Sequence, residues 1–246
     1  MIIRGNSKAL PYADQSFNCV VTSPPYFGLR KYGHSDEEIG TSSLEDYLQD
    51  IADVCEEVWR VLDDRGLFWL NLGDTASGSG GAGGDYNKGG KQDGRPKWKQ
   101  GESGLPPMQW CQVPSRVAIM LQERGWLLRS EVTWDKERLR PEDLNHARRP
   151  GISSEKIFMF AKTREHVFYP AGLEERGNVW HFPPTKNARS HLAPFPLELP
   201  SRCIRCSTQP GDKVFDPFAG SGSTLEAAAM LGRLGFGNDL YAGKWD

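Results

Sequence analysis

The segment from Lys213 to Asp239 leaves this chain little choice of architecture. Lys213-Val214-Phe215-Asp216 reads as a short apolar strand, and Pro217 to Thr224 as a loop carrying Gly220 and Gly222. Residues 225–231 read as a helix, and Leu234-Gly235-Phe236-Gly237-Asn238-Asp239 as a second strand ending in an acid. Strand, glycine loop, helix, strand is a βαβ unit. Its strands run parallel, and parallel sheets need helices on both faces. The glycines let backbone approach a ligand closely. An acid about 20 residues past such a turn is placed to hold a ribose diol. The loop lacks the Gly-x-Gly-x-x-Gly spacing of nicotinamide dinucleotide sites, which disfavours a dehydrogenase.

The rest of the chain supplies a sheet for this unit. Apolar runs near 17–22, 67–72, 128–134 and 155–162 read as strands, and residues 1–7 as a short one ending in Gly5-Asn6-Ser7. In 42–62, Leu44, Tyr47, Leu48, Ile51, Val54, Cys55, Val58 and Leu62 follow the helical period, with Ser42 and Glu45 read as a capping box. Further helices are expected over 113–124 and 197–207. The chain of 246 residues is long enough for one domain, 1–246, with its own core. The expected fold is a doubly wound, Rossmann-like α/β sheet with ligands at the carboxyl ends of the strands.

The run Phe17-Asn18-Cys19-Val20-Val21 leads straight into Thr22-Ser23-Pro24-Pro25-Tyr26. Two prolines remove N–H donors and hold the chain stiff, and each pushes the residue before it to extended geometry. The Ser23 hydroxyl and the Ser23 and Pro24 carbonyls are then left to face something outside, and Tyr26 offers a ring for stacking. A polar clamp beside an aromatic ring suits a planar base carrying an amino group.

These two segments together resemble the amino-methyltransferases of DNA. Ser23-Pro24-Pro25-Tyr26 is similar to that family's Asp/Asn/Ser-Pro-Pro-Tyr/Phe motif. Phe215-Asp216-Pro217-Phe218-Ala219-Gly220-Ser221-Gly222-Ser223-Thr224 resembles its S-adenosylmethionine loop almost letter for letter. Catalytic motif first and cofactor loop last resembles the circularly permuted beta group. The resemblance assigns catalysis to Ser23, Pro24, Pro25 and Tyr26. It assigns cofactor binding to Asn6, Phe195, Asp216, Phe218, Ala219, Gly220, Ser221, Gly222, Thr224 and Asp239. Asn6 departs from the family's usual Gly-Asp; its amide oxygen is expected to accept, more weakly, the cofactor's adenine amino hydrogen bond. Trp134-Asp135-Lys136 resembles the family's Trp-x-Lys beside the target base, and the segments 178–184 and 191–196 resemble its second cofactor wall.

The implied reaction is methylation of an exocyclic amine on a flipped base in double-stranded DNA, by direct in-line attack. Hydrogen bonds from the amine to Ser23 Oγ and the Pro24 carbonyl would draw its nitrogen toward tetrahedral geometry. The chain has no Pro-Cys dipeptide, unlike the 5-carbon cytosine enzymes. Family members with Ser in the first motif position mostly resemble cytosine N4 enzymes. A hydroxyl can also donate to cytosine N3, which a carboxylate would repel. Adenine N6 is the alternative, since adenine N1 is an acceptor too. An enzyme acting on RNA or free bases, and an idle nucleic-acid-binding relative, are further alternatives.

The distribution of charge locates a partner better than the net charge of −2 does. Eleven acids and one base, Arg60, lie from Asp36 to Asp64; that run reads as a solvated face. Lys88 to Lys99 holds five bases and one acid, which suits phosphates. It sits in the one composition break, from Asp74 to Pro106, which has ten glycines and cannot fold alone. Residues 75–105 are therefore expected to form a basic flap closing on DNA, and 137–180 a short target-recognition region. Arg30, Lys31, Lys97, Trp98, Lys99, Lys136, Arg148 and Arg149 are the candidate DNA contacts. The five cysteines, Cys19, Cys55, Cys111, Cys203 and Cys206, read as reduced, and the Cys-x-x-Cys pair Cys203 and Cys206 as buried thiols, with no metal site expected. No apolar run approaches the ~20 residues of a membrane span, and no secretory leader is read. The expected setting is a prokaryotic or phage-encoded cytoplasmic monomer or weak homodimer. A cognate restriction endonuclease need not touch it.

Overall fold

The computed structural model describes residues 1–28, 37–40, 42–78, 103–139, 149–185 and 195–242. One eight-stranded sheet dominates it. In chain order the strands are β1 (Ile2–Arg4), β2 (Phe17–Thr22), β3 (Leu62–Leu72), β4 (Leu127–Asp135), β5 (Ser154–Ala161), β6 (Val179–His181), β7 (Lys213–Asp216) and β8 (Leu234–Asp239). The helices are α1 (Leu44–Val61), α2 (Val113–Glu123), α3 (Glu198–Ser207) and α4 (Ser223–Met230). The order across the sheet is β1-β8-β7-β2-β3-β5-β4-β6. From β1 to β3 all neighbours are parallel, β3, β5 and β4 pair antiparallel, and β6 adds a parallel edge.

The central strands β2, β3, β5 and β7 are largely apolar on both faces because each face carries helices. Phe68, Leu70, Phe158, Phe160 and Phe215 pack with Tyr47, Ile51 and Val58 of α1 and Val117 and Leu121 of α2. Leu67, Trp69, Ile157 and Val214 pack on the other side with Leu199, Cys203 and Ile204 of α3 and Ala227 and Ala228 of α4. This two-sided burial is why the strands read as near-continuous apolar runs. All five cysteines are free and buried, including Cys203 and Cys206, for which burial was expected.

Two local expectations shift. The N-cap of α1 is Ser43, not Ser42: Ser43 Oγ accepts from Asp46 N–H at 3.1 Å and donates to the Asp46 carboxylate at 2.7 Å. The expected Ser42–Glu45 box is displaced by one residue, since Ser43 supplies the extended backbone an N-cap needs. The cofactor-wall segment around 180 also contributes a strand, β6. Trp134 Nε1 donates to the Phe182 carbonyl at 2.8 Å and the two rings stack, which holds β6 against β4.

β7 leads to β8 on one side, and β2 leads to β3 on the other. The order of the sheet therefore reverses between β7 and β2. In open α/β sheets a cleft opens at such a switch point, at the carboxyl ends of the strands.

Candidate active site

Thr22 ends β2 and Asp216 ends β7, side by side at that switch point. Asp216 is 1% exposed. Its Oδ1 accepts from Thr22 Oγ1 at 2.6 Å and from Phe218 N–H at 3.0 Å, and its Oδ2 accepts from Thr224 Oγ1 at 2.6 Å. Burial pushes its carboxyl up to about 6, against the lowering effect of these three donors. Asp216 is thus a buried post that folds its own loop and ties it to the residue before Ser23.

The loop then turns through two left-handed glycines, Gly220 at φ +51° and Gly222 at φ +89°, the second being the N-cap position of α4. Gly220 N–H donates to Asp239 Oδ2 at 2.9 Å, and Tyr241 N–H donates to Asp239 Oδ1 at 2.8 Å. A Cβ added at Gly220 would meet nothing within 4 Å, so the loop is open on that side. A Cβ at Gly237 would fall 2.6 Å from Ala219 Cβ, so the close seat of the loop on β8 requires glycine there. Ser221 is exposed, Ala219 and Thr224 are buried, and Phe218 and Phe195 are half-buried. Phe218 packs on the core beneath α1 and α2, and Phe195 on the core beneath α3 and α4.

Asn6 sits close to this cradle, but its amide is engaged. Its Oδ1 accepts from Lys8 N–H at 2.9 Å and its Nδ2 donates to Glu37 at 3.0 Å. The oxygen expected to meet a ligand amine already closes an Asx turn.

On the other side of the cleft, Pro24 is buried and Ser23, Pro25 and Tyr26 are half-buried. Tyr47 of α1 donates to the Pro25 carbonyl at 3.0 Å and so holds the turn from below. Among the described residues nothing donates to the Pro24 carbonyl. Ser23 Oγ donates to the Tyr26 hydroxyl at 3.1 Å. The Tyr26 proton lies between Glu155 Oε2 at 2.8 Å and Asn71 Oδ1 at 3.0 Å. Burial first, and the Glu155 carboxylate second, hold this phenol well above its ordinary range. The Tyr26 ring lies directly against Gly73: a Cβ there would come within 2.6 Å of Tyr26 Cε2.

Two residues of this cluster escaped the sequence reading. Asn71 is 1% exposed, and its Nδ2 donates to the Lys156 carbonyl at 3.2 Å, which fixes its oxygen toward Tyr26. Glu155 is 8% exposed and pairs with Lys136 Nζ. A signal was available for Asn71, a polar side chain inside an apolar run, because buried polar groups need partners; Glu155, between Ser154 and Lys156 at the start of β5, gave none. Lys136, expected beside the target base and as a DNA contact, pairs with Glu155 and lies 4.9 Å from the centre of the Trp134 ring. The Ser23 hydroxyl, expected both to accept and to donate, donates its proton to Tyr26.

The remaining candidate contacts are divided. Arg149 is exposed and its guanidinium lies 5.4 Å from the Trp110 ring. Trp110 bridges to Ala76, Ser77 N–H donates to the Gln109 carbonyl at 2.7 Å, and the Ser77 and Ser103 hydroxyls are 2.6 Å apart. The two described ends of the glycine-rich stretch are therefore stitched together beside Arg149. Arg30, Lys31, Lys97, Trp98, Lys99 and Arg148 lie outside the described residues.

A family model described as DNA methylase matches residues 17–243, from the start of β2 past the end of β8. The chain belongs to the DNA methylase family. Among its relatives is the type II methyltransferase M.SmaI of Serratia marcescens, 35% identical over 238 residues, 91% of this chain and 80% of that protein. M.XycI of Xanthomonas campestris pv. cyanopsidis is 42% identical over 222 residues, 85% of this chain and 72% of that one. Among solved structures, the PvuII DNA methyltransferase, titled cytosine-N4-specific, superposes with a TM-score of 0.74 at 22% identity, over 98% of this chain and 81% of that one. A DNA modification methylase of Thermus thermophilus, TTHA0409, solved with S-adenosyl-L-methionine, gives 0.65 at 24% identity, over 98% and 88%. These structures share the sheet of this methylase. Among its described residues no helix is long and apolar enough to cross a membrane.

Proposed function

We propose that this DNA methylase transfers a methyl group to the exocyclic N4 of cytosine in double-stranded DNA, with S-adenosyl-L-methionine as donor. The observation that carries the reading is the Ser23 hydroxyl at the switch point. It is neutral, and because its proton is donated to Tyr26 its oxygen is left to act as an acceptor next to the Pro24 carbonyl. Two acceptors at one site suit the two N–H groups of an aromatic amine. Their pull frees the nitrogen lone pair from the ring, and the stiff proline turn holds it for attack.

The cradle fits the donor. An open glycine loop, the Asp239 carboxylate and the half-buried Phe195 and Phe218 supply close backbone approach, a diol acceptor and apolar walls for a nucleoside. When bound, that molecule supplies a methyl group activated on a sulfonium. Asp216 holds the loop through Thr224 and the Phe218 N–H, and Ala219, Gly220, Ser221 and Gly222 form its wall. Asn6 shapes the neighbouring turn.

Cytosine is favoured over adenine by the neutral serine, which is the family's N4 tendency, and by the N4-specific title of the PvuII enzyme. Donation to cytosine N3 does not support the choice, because the serine proton is directed to Tyr26. Adenine N6 is the second reading, since the same pair of acceptors serves it. Digesting DNA methylated by the protein and separating the nucleosides by mass spectrometry decides between them. N4-methylcytosine is expected; N6-methyladenine alone would overturn the base assignment and leave the fold standing. The DNA contacts proposed are the basic stretch with Lys97, Trp98 and Lys99, together with Arg30, Lys31, Arg148 and Arg149. The type II names of the relatives support a place in a restriction-modification pair; a cytoplasmic monomer or weak dimer is the setting proposed with it.

A further inference from the structure

We infer that Ser23, Tyr26 and Glu155 form a one-way proton relay that carries off the proton shed by the methylated amine, with Glu155 as its terminus. The inference rests on the amine-methylation reading and holds for either base. An exocyclic amine carries two protons before methylation and one after, so one N–H bond must break. Nothing in the Ser-Pro-Pro-Tyr motif can keep that proton, since a neutral hydroxyl and a carbonyl are both weak bases near neutral pH.

The hydrogen bonds are oriented to pass it on. Ser23 Oγ donates to the Tyr26 oxygen at 3.1 Å, and the Tyr26 oxygen donates to Glu155 Oε2 at 2.8 Å. Both protons point away from the cleft. The amine proton bonds to Ser23 Oγ, the Ser23 proton moves to Tyr26, and the Tyr26 proton moves to Glu155 Oε2. The electron pair of the broken N–H bond stays on nitrogen. Serine and tyrosine end as they began, and only Glu155 changes charge. Tyr26 itself is a poor terminus, because burial and the adjacent carboxylate disfavour its phenolate. Asn71 shares the Tyr26 proton and cannot keep it, being an amide.

The groups around Glu155 suit a terminus. Lys136 from the end of β4 faces it, balances its ionised form and is itself partly exposed, giving the proton a way to water. On the flanking positions Lys156 pairs with Glu131, and Asp135 faces His181 at 3.4 Å, so neither pair competes for Tyr26.

The test is single-turnover transfer of labelled methyl from S-adenosyl-L-methionine at saturating concentration to genomic DNA lacking amino-methylation, followed in H2O/D2O mixtures. The wild-type proton inventory is expected to curve because several protons move together. Glu155→Gln should be slower by about 100-fold or more, the scale of a lost general base. It should also lose the curvature of the inventory, with DNA affinity and thermal unfolding unchanged. A wild-type rate in Glu155→Gln overturns the relay. So does a slower rate that keeps the curved inventory, which would mark a structural role. If Glu155→Gln fails to fold, Tyr26→Phe keeps the ring and removes the middle link; a curved inventory at wild-type rate in that variant also overturns the relay. No label from the wild-type protein would overturn the methylation reading and the relay together, whereas label with an indifferent Glu155 overturns the relay alone.

Discussion

Thr22 and Asp216 lie 194 positions apart in the chain, yet the threonine hydroxyl donates to the aspartate carboxylate at 2.6 Å in the buried floor of the cleft. One residue further on, each strand delivers its half of the site: Ser23 from β2, Pro217 and the glycine loop from β7. The two halves stand in fixed relation because this bond joins them below solvent.

The same bond has a pH signature. Asp216 is raised from 3.8 to about 6 by burial, so the folded state holds its proton more tightly than the unfolded chain does. Stability contributed by this group is therefore present at low pH and lost as pH rises from about 4 to about 6. The rise corresponds to about 3 kcal/mol. Urea unfolding of wild type and Asp216→Asn across pH about 4 to 7 should show the wild type losing that amount relative to the variant. A gap that does not vary with pH would contradict the assignment.

Asp239 anchors the far side of the cradle by accepting from Gly220 and Tyr241 N–H. Asp239→Ala should weaken S-adenosyl-L-methionine binding by about 1–3 kcal/mol, the scale of charged hydrogen bonds. Calorimetry measures it. Unchanged affinity would show that the carboxylate only shapes the loop.

Gly73 is the floor beneath Tyr26. A methyl group there meets the ring at 2.6 Å, so Gly73→Ala must displace Tyr26 and with it the Ser23 hydroxyl. Methyl transfer should fall by about 100-fold, as a displacement near 1 Å costs, while cofactor affinity stays within error. Radiolabel transfer and calorimetry on one preparation separate the two. Full activity in this variant would mean the Tyr26 position is unimportant.

The described ends of the glycine-rich stretch are joined through Ala76, Ser77, Ser103 and Trp110. Replacing Lys97 and Lys99 by Ala should weaken DNA binding and flatten its dependence on salt by about two phosphate contacts. Fluorescence anisotropy at several salt concentrations reads this directly. An unchanged slope would leave the stretch without a DNA role.

The sequence by itself determined what short-range pattern can encode. The apolar runs, the spacing of Leu44 to Val58, the paired prolines and the glycines at 220 and 222 specify strands, helices and two turns. Period, φ restriction and missing N–H groups act within a few residues. Helix α1 was legible in this way, though not which of two adjacent serines would cap it. The resemblance of two motifs then named the family.

Only the tertiary structure decided which distant polar groups meet. In sequence Lys136 is one of several candidate DNA contacts, Glu155 is one charge in the polar start of a strand, and Asn71 interrupts an apolar run. Sheet order places β3 beside β5, and β5 beside β4. Register then brings Asn71, Glu155 and Lys136 together under Tyr26. A buried hydroxyl must find acceptors, but sequence cannot say which ones. That depends on strand neighbours set by the packing of the whole sheet against helices on both faces.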